Sequence, residues 1–203
     1  MKRIGIFGGS FNPVHIGHTA LAAYICKHGL VDEIWMMVSP QNPLKKNLEL
    51  LDEQHRLAMM QLAVAPYPML KACDFEFHLP RPSYTYHTLQ ALRESFPGNT
   101  FSLIIGEDNW QCFGNWYRSE DILRETPIIV YPRNAAKSLE QHRQPETSTF
   151  NLQLSILRNP PFLPYSSTEV RAALASGSDV SHMLHPDVEA YITRHNLYHP
   201  LPQ

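Results

Sequence analysis

The 203-residue sequence has little cysteine, no long apolar run and no excess of either charge. Its three cysteines, Cys26, Cys73 and Cys112, are odd in number and form no C-x-x-C pair. That argues against a disulfide framework and suits a reducing compartment, with the thiols as core filler. No apolar stretch approaches the roughly 20 residues that a membrane-spanning helix needs. The opening MKRIGIFGG meets glycine too early for a signal peptide, so a cytoplasmic protein without a membrane partner is expected. A net charge of −2 gives no overall field toward nucleic acid or an anionic membrane, so an anionic ligand has to be held by a local pocket. Two common phosphate loops are also absent: neither G-x-x-x-x-G-K-[ST] nor G-x-G-x-x-G occurs. Their absence weakens a P-loop reading and a dinucleotide-dependent oxidoreductase reading. What remains, 43% hydrophobic and 18% charged, is an ordinary globular composition at a length that suits a single domain over 1–203.

Along the chain, apolar runs alternate with helical patterns. Arg3 to Phe7 reads as a buried strand ending in Gly8 and Gly9, and the pattern from Gly17 reads as a helix that Gly29 terminates. Glu33 to Val38 is a second buried strand, closed by the Pro- and Asn-rich stretch Ser39 to Asn47. Asp52 is placed to cap a helix reaching about Ala65, with Leu57, Met60, Leu62 and Val64 facing a core. Strands are expected over Met69 to Phe77, Phe101 to Ile105 and Ile128 to Tyr131, and a helix over Thr85 to Phe96. A polar connection, Asn134 to Thr149, precedes apolar alternation over Phe150 to Leu157, and helices are expected over Thr168 to Ala175 and Pro186 to His195. Such alternation predicts an α/β fold: a doubly wound, mostly parallel sheet with helices on both faces and ligands at the carboxyl ends of the strands. The helical part from about 166 to 203 is expected to pack on that sheet.

The loop after the first strand carries the densest chemistry. Gly8 to His18 reads GGSFNPVHIGH and leads into a helix, where backbone N–H groups and the helix dipole favour an anion, phosphate above all. Gly8 and Gly9 let the backbone approach a ligand closely, with Ser10 and Phe11 beside them as expected binding residues; His15 and His18, three apart at the helix start, can both present N–H donors to one phosphate chain. A metal pair is disfavoured because no nearby Cys or Asp completes a ligand set. Near the other end, YSSTEVR offers Ser166, Ser167 and Thr168 at a second helix start, with Arg171 one turn inside. Taken alone it reads equally as a capping box. His182 with His185, and His195 with His199, lack a glycine-rich loop and are read as surface or packing residues.

The pattern G-x-F-x-P-x-H-x-G-H, together with Ser166-Ser167-Thr168 and Arg171, resembles the paired signature of the nucleotidyltransferase superfamily. Ile105 to Asp108 is similar to its I-G-x-D, which implies that Gly106 and Asp108 lie beside adenosine. PSYTYHTL (Pro82 to Leu89) and FGNWY (Phe113 to Tyr117) resemble segments of the bacterial nicotinate-nucleotide adenylyltransferases. PQNPLKK (Pro40 to Lys46) matches that family at Lys45, with Leu44 where a histidine is common. The resemblance touches both ends and the middle of the chain. It implies a Rossmann-like nucleotidyltransferase fold, ATP and a pyridine mononucleotide as substrates, and Mg²⁺ accompanying ATP.

By that resemblance the 5′-phosphate of nicotinate mononucleotide attacks the α-phosphorus of ATP. His15, His18, Lys45 and Arg171 would stabilise the transition state, with Arg133 a further phosphate contact. Ser83, Tyr84, Thr85, Trp116 and Tyr117 would hold the pyridine ring, although Trp116 reads equally as a core aromatic. A monoester phosphate is largely dianionic at neutral pH, its second pKa being about 6, which accounts for the lack of a nucleophile–base pair. Two alternatives stand beside this one: an adenylyltransferase acting on nicotinamide mononucleotide or phosphopantetheine, and a non-catalytic nucleotide-binding regulator. Homo-oligomerisation is left open.

Overall fold

The central strands form on largely apolar runs, and all the strands pair in parallel. β1 (Lys2–Gly9), β2 (Glu33–Val38), β3 (Leu70–Cys73), β4 (Asn99–Gly106), β5 (Ile128–Tyr131) and β6 (Leu154–Ile156) make a six-stranded sheet in the order β3-β2-β1-β4-β5-β6. The computed structural model describes residues 1–40, 50–132, 154–157, 160–161 and 164–198. The expected connection over Asn134 to Thr149 lies outside the described residues, as does most of the loop Ser39 to Asn47. Continuous apolar runs are what strands covered on both faces require. Ile4 and Ile6 feed one core with Phe101, Leu103 and Ile105, while Phe7 and Ile104 feed the other.

Helices cover both faces. α1 (Ile16–Lys27) and α2 (Glu53–Val64) bury Leu21, Ala22, Ile25, Met59 and Met60 in the first core, and α6 (Ser167–Ala175) and α7 (Pro186–Arg194) add Val170, Leu174, Val188 and Ile192. α3 (Thr85–Ser95) and α5 (Ser119–Glu125) cover the second core with Tyr86, Leu89, Leu92 and Ile122. Because β1 pairs with both β2 and β4, connections leave β1 and β4 toward opposite sides, and a crevice opens above their carboxyl ends. Among the described residues no helix is long and apolar enough to cross a membrane. Cys26, Cys73 and Cys112 are free, and burial pushes the Cys26 and Cys73 thiols up to about 11, which makes them inert.

Most expected elements occur within two residues of their expected ends, with three departures. The strand expected over Met69 to Phe77 stops at Cys73, and Phe75–His78 forms a 3₁₀ turn. Past Cys73 the chain still alternates between the cores without being a strand, Phe75 packing toward the second and Phe77 toward the first. The short helices α4 (Glu107–Gln111) and α5 escape a reading by period, which needs about two turns to show. On α2 the inward residues are Arg56, Met59, Met60, Ala63 and Val64; the expected Leu57 and Leu62 are only partly buried.

The turn after β3 also places a carboxyl in the interior. Glu76 is buried and accepts hydrogen bonds from the Thr88 hydroxyl (2.9 Å) and from the side chain of Ser39 at the end of β2. Burial pushes its pKa above the usual carboxylate range, outweighing those two bonds. The folded chain therefore holds this proton to higher pH than the unfolded chain. The stability from the site is complete below the unfolded carboxyl's pKa, near 4.5, and is lost as pH rises through the folded value. Glu76→Gln keeps an acceptor for Thr88 and removes the titration. Its melting temperature should gain on the parent as pH is raised from 4 to 8, by about 2–4 °C per kcal/mol relieved; a pH-independent difference in calorimetric scans would refute this account of Glu76.

Candidate active site

β1 ends at Gly9, and the chain turns through Ser10 to Pro13 into α1, whose N-cap is His15. Phe11 takes the left-handed region at φ 44°, an outlier for a bulky residue, and its ring packs against Phe7 (5.8 Å) and His18 (5.0 Å). Two glycines expected to share one purpose divide it. A Cβ on Gly9 would come within 3.1 Å of the Phe11 ring, so Gly9 makes room for packing. A Cβ on Gly8 would meet nothing within 4 Å, so that backbone is open to a ligand. The His15 and His18 rings lie 3.7 Å apart, and the His15 backbone N–H donates to His18 Nδ1 at 3.2 Å. An accepting Nδ1 leaves the neutral ring's proton on Nε2, so His18 keeps one defined N–H donor.

The second expected helix start folds directly onto this loop. Ser166 caps α6, exchanging hydrogen bonds with Glu169 in the capping box. Ser167 Oγ donates to the Pro13 carbonyl at 2.9 Å, and Arg171 Nη1 donates to the Asn12 carbonyl at 2.7 Å. Thr168, exposed at the same turn, accepts from Arg171 Nη2 at 3.3 Å. Two helix N-termini from opposite ends of the chain thus stand side by side. In both clasping bonds the loop contributes carbonyls and no N–H; the N–H groups of His15, Ile16, Ser166 and Glu169 are bonded within the chain, and the positive ends of both helix dipoles face the same rim.

Across the crevice, Gly106 ends β4 and caps α4, and Asp108 is exposed in the first turn of that helix. FGNWY follows α4, and PSYT leads into α3, whose N-cap is Tyr84. Tyr84 and Tyr117 meet at 5.1 Å, joining the two segments. Trp116 packs against Phe113 at 5.1 Å and is only partly buried, so it is neither free nor a full core residue. Its indole nitrogen and Ser83 Oγ are buried with no hydrogen-bond partner among the described residues, and each such orphan costs about 1–3 kcal/mol. Thr85 is the first residue of α3, where a backbone N–H has no intrahelical acceptor.

Lys45 and Arg133 lie outside the described residues. The other histidine pairs are used in packing: His182 meets Tyr165 at 5.7 Å, His195 lies 4.2 Å from Tyr191, and His185 caps α7; His199 lies outside the described residues. Sequence reasoning missed three participants. Asn12 accepts from Arg171 at its carbonyl and from Tyr198, whose hydroxyl donates to Asn12 Oδ1 at 2.8 Å. Burial raises the Tyr198 pKa, which keeps that donor protonated. Arg56 reaches Ser10 from beneath the loop. Asn12 sits inside the histidine motif and was legible there; Tyr198 and Arg56 carry no local signal, since only the fold brings them to the loop.

The cytidylyltransferase-like family matches residues 6–173, a span from β1 into α6 that includes both halves of the clasp. The probable nicotinate-nucleotide adenylyltransferase of Bacteroides thetaiotaomicron is 49% identical over 190 residues, 94% of this chain and 90% of that protein. Its counterpart from Bacteroides fragilis is 47% identical, covering 92% and 89%. Among solved structures, Plasmodium falciparum nicotinic acid mononucleotide adenylyltransferase complexed with NaAD superposes with a TM-score of 0.80 at 24% identity over 98% of each chain, a likeness of fold. With near-complete coverage on both sides, the chain belongs to the cytidylyltransferase-like family and, within it, to the nicotinate-nucleotide adenylyltransferases.

Proposed function

We propose that this chain transfers the adenylyl group of ATP to nicotinate mononucleotide in the cytoplasm, forming nicotinate adenine dinucleotide and pyrophosphate. The observation that carries the reading is the clasp: Ser167 and Arg171 bound to the Pro13 and Asn12 carbonyls, so that two helix N-termini share one rim. An oxygen of the mononucleotide 5′-phosphate bonds to the α-phosphorus while the bond from that phosphorus to the bridging oxygen breaks, and pyrophosphate carries the electron pair away. No general base is required, and catalysis rests on positioning and on charge stabilisation.

His15, His18 and Arg171, with Lys45 and Arg133, supply that stabilisation in this reading. Gly8, Gly9, Ser10, Phe11, Ser166, Ser167 and Thr168 seat the triphosphate, and Gly106 and Asp108 the adenosine. The described donors at this rim are imidazole, guanidinium and helix N–H groups, which suit phosphate oxygens, so Mg²⁺ would be held by ATP phosphates and water and would supply further neutralisation of phosphate charge. Ser83, Tyr84, Thr85, Trp116 and Tyr117 receive the pyridine ring. The free N–H at the start of α3 favours a carboxylate over a carboxamide through the helix dipole. The whole chain acts as one domain, its C-terminal helices completing the site from above the sheet.

Three outcomes are expected. Pyrophosphate release from ATP should be faster with nicotinate mononucleotide than with nicotinamide mononucleotide, and absent with phosphopantetheine; ATP binding without release for every acceptor would indicate a regulator instead. His18→Ala should keep its circular dichroism spectrum and lose about a hundredfold or more in kcat, as removal of one charge-stabilising donor does. Trp116→Ala should raise KM for the mononucleotide about tenfold, the worth of an aromatic stack, with KM for ATP unchanged.

A further inference from the structure

Arg56 is 1% exposed, and its fork is spent on backbone. Nε donates to the Leu51 carbonyl at 2.8 Å, Nη1 to Ser10 at 2.7 Å and to Ser39 at 2.8 Å, and Nη2 to Pro40 at 3.2 Å. These carbonyls come from three places: the loop after β1, the end of β2 and the approach to α2. The carboxylates nearest in sequence are committed elsewhere, Asp52 to the Gln54 backbone N–H and Glu53 to Arg81. A buried cation held by carbonyl dipoles is costly to desolvate, and an apolar residue in its place would leave four carbonyls without this donor. The arrangement therefore points to something the carbonyls must do.

A trans peptide unit is planar, with its C=O and N–H pointing in opposite directions. When Arg56 draws the Ser10 carbonyl inward, the N–H of Phe11, in the same unit, is turned away from the guanidinium. Phe11 is the residue held in the left-handed region, and its ring supports His18 at 5.0 Å. One buried fork thus fixes both the direction of a loop N–H and the seat of a phosphate-binding imidazole.

We propose that Arg56 is a positioning residue for adenylyl transfer, one that never touches substrate and acts by pulling the carbonyl side of the phosphate loop inward so that its N–H side faces the triphosphate. The proposal rests on the assignment of this rim to ATP. It predicts that lysine substitutes poorly, because a single ammonium cannot span carbonyls on three segments.

The test uses Arg56→Ala and Arg56→Lys in the full chain, with melting curves, ATP affinity by calorimetry, and steady-state pyrophosphate release. Arg56→Ala should lose about a hundredfold in kcat and about tenfold in ATP affinity, with KM for nicotinate mononucleotide within about threefold of the parent. Methylguanidinium should restore at least about tenfold of the lost rate, and methylammonium should not. Arg56→Lys, which retains a cation in the cavity, should remain folded and show a large part of the same loss. A folded Arg56→Lys with parental rate and ATP affinity overturns the proposal, as does rescue of Arg56→Ala by methylammonium to the same extent. If the parent releases no pyrophosphate with any pyridine mononucleotide, the functional reading fails by itself. The calorimetric arm then still decides on Arg56, since unchanged ATP affinity in both variants would overturn its role.

Discussion

Two helix N-termini do not come together unaided, because each carries partial positive charge and unsatisfied N–H groups. In this chain the approach is secured by side chains of one turn bonding to the carbonyls of the other, Ser167 to Pro13 and Arg171 to Asn12. Those bonds are favourable without an anion present, and they draw on the carbonyls of the loop and on none of its N–H groups. Everything else at the rim follows from that division of labour between carbonyl and N–H. The stacked histidines at the start of α1, the left-handed Phe11 and the buried Arg56 all hold one face of the same few peptide units while the opposite face stays available. The sheet makes this geometry reachable, since β1 sits where connections diverge and the loop above it is open.

Sequence reasoning recovered β1, β2, β4 and β5 because each is a largely apolar run bounded by glycine, proline or polar residues. It recovered α1, α2, α3, α6 and α7 because each has enough turns for a period, and Asp52 and Ser166 mark their starts. It erred where one cue served two purposes. Phe75 and Phe77 alternate between two cores without being a strand, and Leu57 and Leu62 meet the core only at its margin while Arg56 occupies the interior of α2. A charged residue assigned to the surface by its type cannot announce that four backbone carbonyls await it.

The candidate site was legible to the extent that its residues lie close together in the chain. GGSFNPVHIGH and YSSTEVR each carry their chemistry within one turn, and the structure brings the two together. The far side of the crevice was legible as segments but not as a contact; Tyr84 meeting Tyr117 depends on how α3 and the turn after α4 pack on the second core. The orphaned polar atoms of Ser83 and Trp116 have no sequence signature, because whether a donor finds a partner is settled only by packing.

The order in which the chain is made bears on the clasp. Every described contact that grips the loop from the C-terminal side, from Ser167, Arg171, the Met183 carbonyl that receives the Ile16 N–H, and Tyr198, comes from residues translated long after the loop itself. While the ribosome is still elongating, β1 and its turn wait without these restraints. Only when residue 198 has cleared the exit tunnel is the last of these contacts available to the loop, so its final shape is set by residues made well after it.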